Sequence, residues 1–147
     1  MATLKPILLV EDDLVDASTA KQALTDLRVK NPVIHKTDGE EALDYCRNPD
    51  NPPPALILLD LNMPKISGVE LLQVIKTDPH LQHIPVVVLT VSKYEQDKLD
   101  TFDLGVAGYV IKAVEYDDFL RAMDIVVRYW IWNGLLEKER ETENAKF

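Results

Sequence analysis

The sequence predicts an α/β fold with a five-stranded parallel sheet. Five short apolar runs rich in Val, Ile and Leu occur along the 147 residues, and such runs are typical of strands buried on both faces of a parallel sheet. A stretch with helical spacing of apolar residues follows each run, so strand and helix alternate five times. This alternation favours the doubly wound, flavodoxin-like strand order 2-1-3-4-5, with helices on both faces of the sheet.

Each predicted strand corresponds to one apolar run. In chain order the runs are residues 6–10, 33–36, 55–59, 85–89 and 108–111. The run at 47–54 (RNPDNPPP) is rich in proline and predicts a rigid loop before the third strand.

Capping residues and apolar spacing place the first two helices. One helical face after the first strand carries Ala17, Ala20, Leu24 and Leu27. Asp38 is a preferred N-cap residue and precedes the second helix. These positions predict one helix after each of the first two strands.

The third and fourth helices carry stronger start signals. Ser67 and Glu70 have the spacing of a capping box, and so do Ser92 and Glu95. Gly105 predicts the end of the fourth helix, since glycine readily adopts the left-handed conformation found after helix ends. A fifth helix is predicted from about residue 117 into the region of residue 132.

Composition limits the classes of partner. The chain has 16 basic and 25 acidic residues and a formal net charge of −9, so nucleic acid and anionic membranes are poor partners. Its single cysteine, Cys46, excludes an internal disulfide and a multi-cysteine zinc site. No segment has the length of a membrane span or the pattern of a signal peptide. We therefore expect a cytoplasmic protein, with one domain at 1–136 and a charged tail at 137–147.

Polar residues stand where four of the predicted strands end. Glu11 and Asp12 follow the first strand, Asp60 the third, Thr90 the fourth and Lys112 the fifth. Because the carboxyl ends of parallel strands share one edge of the sheet, we expect these side chains to converge. Clustered carboxylates favour Mg²⁺, a Lys and a Thr hydroxyl can hold phosphoryl oxygens, and a central carboxylate can act as nucleophile. A plainer alternative is that the first acids only form an acidic helix start, which the helix dipole favours.

Four motifs give the chain a recognisable resemblance. They are LLVEDD at 8–13, LILLDLNMPKISG at 56–68, PVVVLT at 85–90 and GYVIK at 108–112. With these motifs the sequence resembles the receiver domain of two-component response regulators, from residue 6 to about residue 132. The segment DPHLQHIPVVVLT at 78–90, the proline-rich loop and the aromatic end of the last helix are similar to the small stand-alone regulators of cyanobacterial and bacterial phytochrome kinases.

The resemblance implies a role for each residue of the site. Asp60 would be the phosphoacceptor, taking its phosphoryl group from the phosphohistidine of a sensor kinase, here a phytochrome-type kinase. Asp12 would be the main Mg²⁺ ligand, Glu11 would bind the metal directly or through water, and Asn62 would contribute its backbone carbonyl. The resemblance implies a phosphorelay protein rather than a true enzyme, one that promotes its own phosphotransfer and slow autodephosphorylation.

Three further residues would transmit or stabilise the phosphorylated state. Thr90 would be the switch hydroxyl that moves toward the phosphoryl group, and Lys112 would pair with that group. Tyr109 would be the aromatic residue that turns inward on activation. The output would be contact with an unknown downstream protein through the surface of the fourth helix, fifth strand and fifth helix.

Two positions depart from the family pattern. Val91 stands where the family usually has a small residue, and we expect it to slow the entry of phosphodonor and water. Ala113 stands where the family usually has proline. A cis peptide before a non-proline residue costs ~2.5–4 kcal/mol, so we expect the Lys112–Ala113 bond to be trans. Both departures favour one alternative, a pseudo-receiver that acts as a phosphorylation-independent interaction module.

A third class of function is an Mg²⁺-dependent phosphatase. Such an enzyme would require an acid at the position where this chain has Asn62.

The last helix carries two apolar stripes. The first, which we expect to pack on the sheet, is Phe119, Met123, Val126 and Trp130, flanked by Leu120 and Val127. The second is Ile125, Tyr129, Trp132 and Leu136. Aromatic residues are enriched at interface cores and a two-fold interface is self-complementary, so the second stripe predicts a homodimer through this helix. The alternative is that the tail folds back over the stripe.

Overall fold

The structure is a computed structural model. It describes residues 4–61, 63, 66–90, 93–100, 103–112 and 115–144, and for residue 93 and residues 131–144 it describes the backbone alone. The predictions about Asn62, Val91 and Ala113 therefore lie outside the described residues. So do the predictions about the side chains of Trp132 and Leu136.

Strands and helices alternate along the chain, and the α/β fold class is confirmed. In order the elements are β1 (Ile7–Val10), α1 (Leu14–Asp26), β2 (Val33–Lys36), α2 (Gly39–Arg47), β3 (Leu56–Asp60), α3 (Gly68–Thr77), β4 (Val86–Thr90), α4 (Lys93–Asp100), β5 (Gly108–Ile111) and α5 (Tyr116–Asn144). The strands form one parallel sheet in the predicted order, β2-β1-β3-β4-β5.

The sheet separates two apolar layers. On one face β1, β3 and β4 pack against α2, α3 and α4, with Leu72 and Ile75 of α3 at the centre. On the other face the same strands pack against α1 and α5, where Ala20 of α1 and Met123 of α5 are completely buried. Every residue of β1, β3 and β4 is buried, which agrees with their unbroken apolar sequence.

Two of the central strands extend one residue further than their apolar runs. β3 ends at Asp60 rather than at residue 59, and β4 ends at Thr90 rather than at residue 89. The parallel ladder continues through both residues, because Asp60 pairs with Leu89 and Thr90 pairs with Ile111. These two polar residues are therefore held by the rigid sheet rather than by loops.

The helix starts follow the predicted caps where the structure describes them. Asp38 accepts a hydrogen bond from the backbone of Glu41, and Ser67 accepts one from the backbone of Glu70, so both N-caps are confirmed. The predicted end of the fourth helix is wrong, because α4 ends at Asp100. Gly105 has a left-handed φ of +65° within the connection to β5 instead.

α5 packs on the sheet through part of the first predicted stripe. Phe119, Met123 and Val127 are buried against the sheet, whereas Val126 and Trp130 are half-buried at the margin of that layer. The helical backbone continues through residues 137–144, beyond the predicted end of the helix. Within the described part of the chain, no helix combines the length and the apolar character needed to cross a membrane.

Candidate functional site

Three carboxylates converge at the carboxyl edge of the sheet. Glu11 directly follows β1 and is completely buried, Asp60 ends β3 and is 4% exposed, and Asp12 is exposed at the rim. One oxygen of each carboxylate can be chosen so that all three lie within 4.8 Å of one another. The sequence prediction that these three residues share one site therefore agrees with the geometry.

The turn from β1 into α1 sets the position of the first two acids. Asp13 is the N-cap of α1, and its Oδ1 accepts hydrogen bonds from the backbone nitrogens of Val15 (2.9 Å) and Asp16 (3.0 Å). The backbone of Glu11 is held from the neighbouring strand, because the imidazole Nε2 of His35 donates to the Glu11 carbonyl oxygen at 2.8 Å. Asp13 is thus a helix cap, while Glu11 and Asp12 belong to the carboxylate cluster.

The backbone after Asp60 turns closely against the start of α3. The backbone nitrogen of Gly68 donates to the carbonyl oxygen of Leu61 at 3.0 Å. A Cβ at position 68 would lie 2.5 Å from both the Asp60 carbonyl oxygen and the Leu61 Cα, which is a clash with backbone atoms. Glycine is required there because the end of β3 and the start of α3 approach so closely.

Lys112 reaches the carboxylates from the end of β5. Its Nζ lies 2.7 Å from Glu11 Oε1, 3.1 Å from Asp16 Oδ2 and 3.2 Å from Asp60 Oδ1. Burial by itself lowers the pKa of the Lys112 amine, but the hydrogen bond to Glu11 and the charge of Asp60 outweigh it and raise that pKa above its usual value. Lys112 is therefore a charged ammonium within the acidic cluster.

Asp16 is a member of the site that the sequence reasoning missed. It lies in the first turn of α1 and is half-buried, with its carboxylate against Lys112. Its spacing of four residues from Asp12 was the available signal, since residues four apart lie on one face of a helix. However, Asp12 lies before the start of the helix. The rule for residues four apart within a helix therefore did not identify Asp16.

Glu11 shares a hydrogen bond with Asp60 inside the carboxylate cluster. Burial, followed by the hydrogen bond to Asp60, raises the pKa of Glu11 to about 8. A set of hard carboxylate oxygens at this separation is the donor set that Mg²⁺ and Mn²⁺ prefer. The Glu11, Asp12 and Asp60 cluster therefore fits a divalent metal ion.

Thr90 stands beside Asp60 on the neighbouring strand. Its side chain is 1% exposed, and its Oγ1 donates a hydrogen bond to Glu95 Oε2 at 2.5 Å. The sequence had indicated Glu95 only as the partner of Ser92 in a capping box, and Ser92 lies outside the described residues. The structure shows instead that the Glu95 carboxylate accepts from the Thr90 hydroxyl.

Tyr109 lies on β5 with its ring half-buried against the layer that contains α4. Its hydroxyl donates a hydrogen bond to Asp100, the last residue of α4. Burial and this hydrogen bond raise the pKa of the Tyr109 phenol above its usual value. Tyr109 is therefore tied to the end of α4, on the opposite layer from α5.

An apolar groove borders the site on the side of α1. Leu14 and Val15 are 71% and 74% exposed in the first turn of α1, directly after the carboxylate cluster. They line a cavity of about 460 Å³ together with Ser18, Thr19, Gln22 and Tyr116. The sequence reasoning did not predict this groove, which forms only where α1 and the start of α5 meet.

Comparison with known proteins adds to this geometry. Residues 7–124 match the response regulator receiver domain. Response regulator Rcp1 of Synechocystis sp. (strain ATCC 27184 / PCC 6803 / Kazusa) is 36% identical over 131 residues, which cover 86% of this chain and 89% of Rcp1. A crystal structure of Rcp1 in its Mn²⁺-bound form has a TM-score of 0.76 and is 36% identical, covering 86% of this chain and 94% of that one.

Two further solved structures are similar. The phosphorylated cyanobacterial phytochrome response regulator RcpA is 38% identical, with a TM-score of 0.77 over 88% of this chain and 95% of that one. The bacteriophytochrome response regulator RtBRR is 44% identical, with a TM-score of 0.75 over 82% of this chain and 76% of that one. Both agree with the resemblance to phytochrome response regulators that the motifs indicated. The chain belongs to the response regulator receiver domain family.

Proposed function

We propose that this protein is a phosphorylation switch that accepts a phosphoryl group on Asp60 in a reaction that depends on Mg²⁺. The observation that carries the proposal is the convergence of Glu11, Asp12 and Asp60 within 4.8 Å, with the ammonium of Lys112 3.2 Å from Asp60. A nucleophilic carboxylate, two further acids and a fixed cation are the groups that phosphoryl transfer to an aspartate requires.

The covalent step is a transfer between two acceptors. An Oδ atom of Asp60 forms a bond to phosphorus as the P–N bond to the histidine of the donor kinase breaks. The electron pair of that bond stays with the imidazole nitrogen. If the other ring nitrogen carries a proton, the histidine leaves as a neutral imidazole. If it does not, the imidazole becomes neutral by taking a proton from water. Lys112 stabilises the negative charge on the phosphoryl oxygens, and the hydroxyl of Thr90 donates a hydrogen bond to one of them.

The side chains of Glu11, Asp12 and Asp60, with the backbone carbonyl of Asn62, would hold the metal ion. When bound, Mg²⁺ neutralises the charge of the cluster and of the transferring phosphoryl group. The hard oxygen donors of the three acids and their spacing support a divalent metal at this site, and the relative Rcp1, solved in an Mn²⁺-bound form, supports such a metal independently.

We propose a phytochrome-type histidine kinase as the phosphodonor. The similarity to Rcp1, RcpA and RtBRR supports the pairing, since two of these are described as phytochrome or bacteriophytochrome regulators. The groove at Leu14 and Val15 is an apolar surface beside the carboxylate cluster that contains Asp60. A donor domain that delivers a phosphohistidine to Asp60 must approach along this edge of the sheet.

We propose that the output uses the face of α4, β5 and α5, with a homodimer formed through α5. Ile125 and Tyr129 are 75% and 60% exposed, four residues apart on one face of the helix. Trp132 and Leu136 continue the same spacing in the sequence. The ring of Tyr129 lies edge-on against Trp130 at 5.2 Å between centroids.

Phosphotransfer from an autophosphorylated bacteriophytochrome kinase tests the proposal. We expect radiolabel to pass to the wild-type protein but not to Asp60→Asn, and the label to be released by hydroxylamine, as an acyl phosphate is. A variant with the groove charged, Val15→Glu, should lose transfer from the kinase while keeping transfer from acetyl phosphate. Absence of label from every donor would favour the phosphorylation-independent interaction module, and continuous release of phosphate would favour a phosphatase.

A further inference from the structure

The hydroxyl of Thr90 is already committed to a carboxylate. Thr90 Oγ1 donates to Glu95 Oε2 at 2.5 Å, a length typical of a hydrogen bond from a hydroxyl to a charged carboxylate. Such bonds are stronger than neutral ones, and the Thr90 side chain is almost completely buried from water. The bond therefore fixes the direction in which the hydroxyl proton points.

Phosphorylation at Asp60 would bring a second acceptor to the same edge of the sheet. β3 and β4 are paired neighbours, and Asp60 pairs with Leu89, the residue before Thr90. A threonine hydroxyl has a single proton to donate. The Glu95 carboxylate and a phosphoryl oxygen would thus compete for one hydrogen bond.

Hydroxyl groups of the sheet bind α4 at two points. Of its described side chains only Leu99 is buried, and Tyr94 is largely exposed. Its two ends are each bound by a hydroxyl from the sheet, Glu95 by Thr90 and Asp100 by Tyr109. Loss of either bond would remove one contact that holds this helix against β4 or β5.

We propose that Glu95 is a positioning residue that holds the Thr90 hydroxyl away from the phosphoryl site and couples its release to the movement of α4. This inference rests on the proposed phosphorylation of Asp60. In the unphosphorylated protein the Thr90–Glu95 bond keeps α4 in place. When the hydroxyl turns to the phosphoryl group, Glu95 loses this donor and the first turn of α4 loses this contact with β4.

Binding of beryllofluoride with Mg²⁺, a stable mimic of the phosphoryl group, tests the competition. We expect Glu95→Ala to bind the mimic roughly tenfold more tightly than the wild type, since a hydrogen bond to a charged group no longer has to break. Glu95→Gln retains an acceptor oxygen without the charge and should fall between the two. A merely structural role would lower stability and leave this affinity unchanged or weaker.

Glu41 offers a matched control. Like Glu95 it is the third residue of its helix, and its Oε2 accepts from the hydroxyl of Thr37 at 3.0 Å. It is not among the residues of the carboxylate cluster. Glu41→Ala therefore removes a first-turn carboxylate and a threonine hydrogen bond, and we expect it to leave the affinity for beryllofluoride unchanged.

A double-mutant cycle and hydrogen exchange complete the test. In a Thr90→Val background, Glu95→Ala should have no further effect on beryllofluoride affinity, because the shared hydroxyl is gone. The amides of α4 should exchange faster in unliganded Glu95→Ala, and as fast as those of the wild type bound to beryllofluoride.

The outcomes separate this inference from the function on which it rests. If the wild type binds beryllofluoride and Glu95→Ala binds it no more tightly, or if Glu41→Ala shows the same gain, the role of Glu95 is overturned. If the wild type does not bind the mimic at all, the proposed phosphorylation is contradicted together with the inference.

Discussion

The Nζ atom of Lys112 lies 2.7 Å from Glu11 Oε1 and 3.2 Å from Asp60 Oδ1. One ammonium at the end of β5 thereby joins the ends of β1 and β3, over a sequence separation of about one hundred residues for Glu11. Glu11 is completely buried and Lys112 is largely so. Lys112 consequently neutralises part of the acidic cluster, in addition to the role at the phosphoryl group that we propose for it.

Lys112→Met should lower the free energy of unfolding by about 2–4 kcal/mol at pH 7, because it leaves the buried acids Glu11 and Asp60 without their cation. Urea denaturation measures this change. Lys21→Met on the exposed face of α1 is the control and should change stability by less than about 0.5 kcal/mol. A loss from Lys112→Met no larger than that of the control would show that the ion pairs contribute nothing to the fold.

Asp12→Asn should weaken Mg²⁺ binding roughly tenfold, because the asparagine amide has the shape of the carboxylate but lacks its charge. The fold should stay intact, because Asp12 is exposed. Isothermal titration with Mg²⁺ gives the affinity. Asp13→Asn removes the same charge one residue later and keeps the helix cap, since asparagine caps as well as aspartate. Equal losses in the two variants would mean that only net charge matters and that Asp12 is not a ligand.

Tyr129→Glu should convert a dimer to a monomer, because a charge in the middle of the exposed apolar stripe opposes burial against a second copy. Sedimentation velocity reports the mass in solution. Asp124→Lys on the same helix, away from the stripe, should leave the dimer unchanged. A monomeric wild type, or a variant that stays dimeric, contradicts the interface on α5.

Cys46 gives a pH-dependent prediction. Burial raises the pKa of its thiol to about 11 from about 9. Since only the thiolate reacts, alkylation by iodoacetamide at pH 8 should be about a hundredfold slower in the native protein than in the unfolded chain. The native rate should climb until pH 11, and stability should fall between pH 9 and pH 11, because only the unfolded chain readily loses the proton there. A native thiol that titrates near pH 9 would contradict this burial.

Sequence reasoning predicted the fold and the backbone positions of the site because both follow from short-range patterns. Unbroken apolar runs identified the central strands, and the residues that end them had to meet at one edge of a parallel sheet. Asp60, Thr90 and Lys112 could therefore be placed without a structure.

The missed contacts depend on how separate elements pack. Asp16 meets Lys112 only because the Lys112 side chain extends from the end of β5 to the first turn of α1, and Glu95 reaches Thr90 only because α4 begins so close to the end of β4. Gly105 was read as a helix end because its left-handed preference suits several kinds of turn. Local sequence preferences do not distinguish among such arrangements.

The mass of the intact protein after incubation with acetyl phosphate tests the central claim most directly. With Mg²⁺ present, the account predicts a single phosphoryl adduct on the wild type, none on Asp60→Asn, and none on the wild type when the metal is removed by a chelator. An adduct that persists in Asp60→Asn, or wild-type protein that remains unmodified at high donor concentration and long times, would contradict the assignment of Asp60 as a metal-dependent phosphoacceptor.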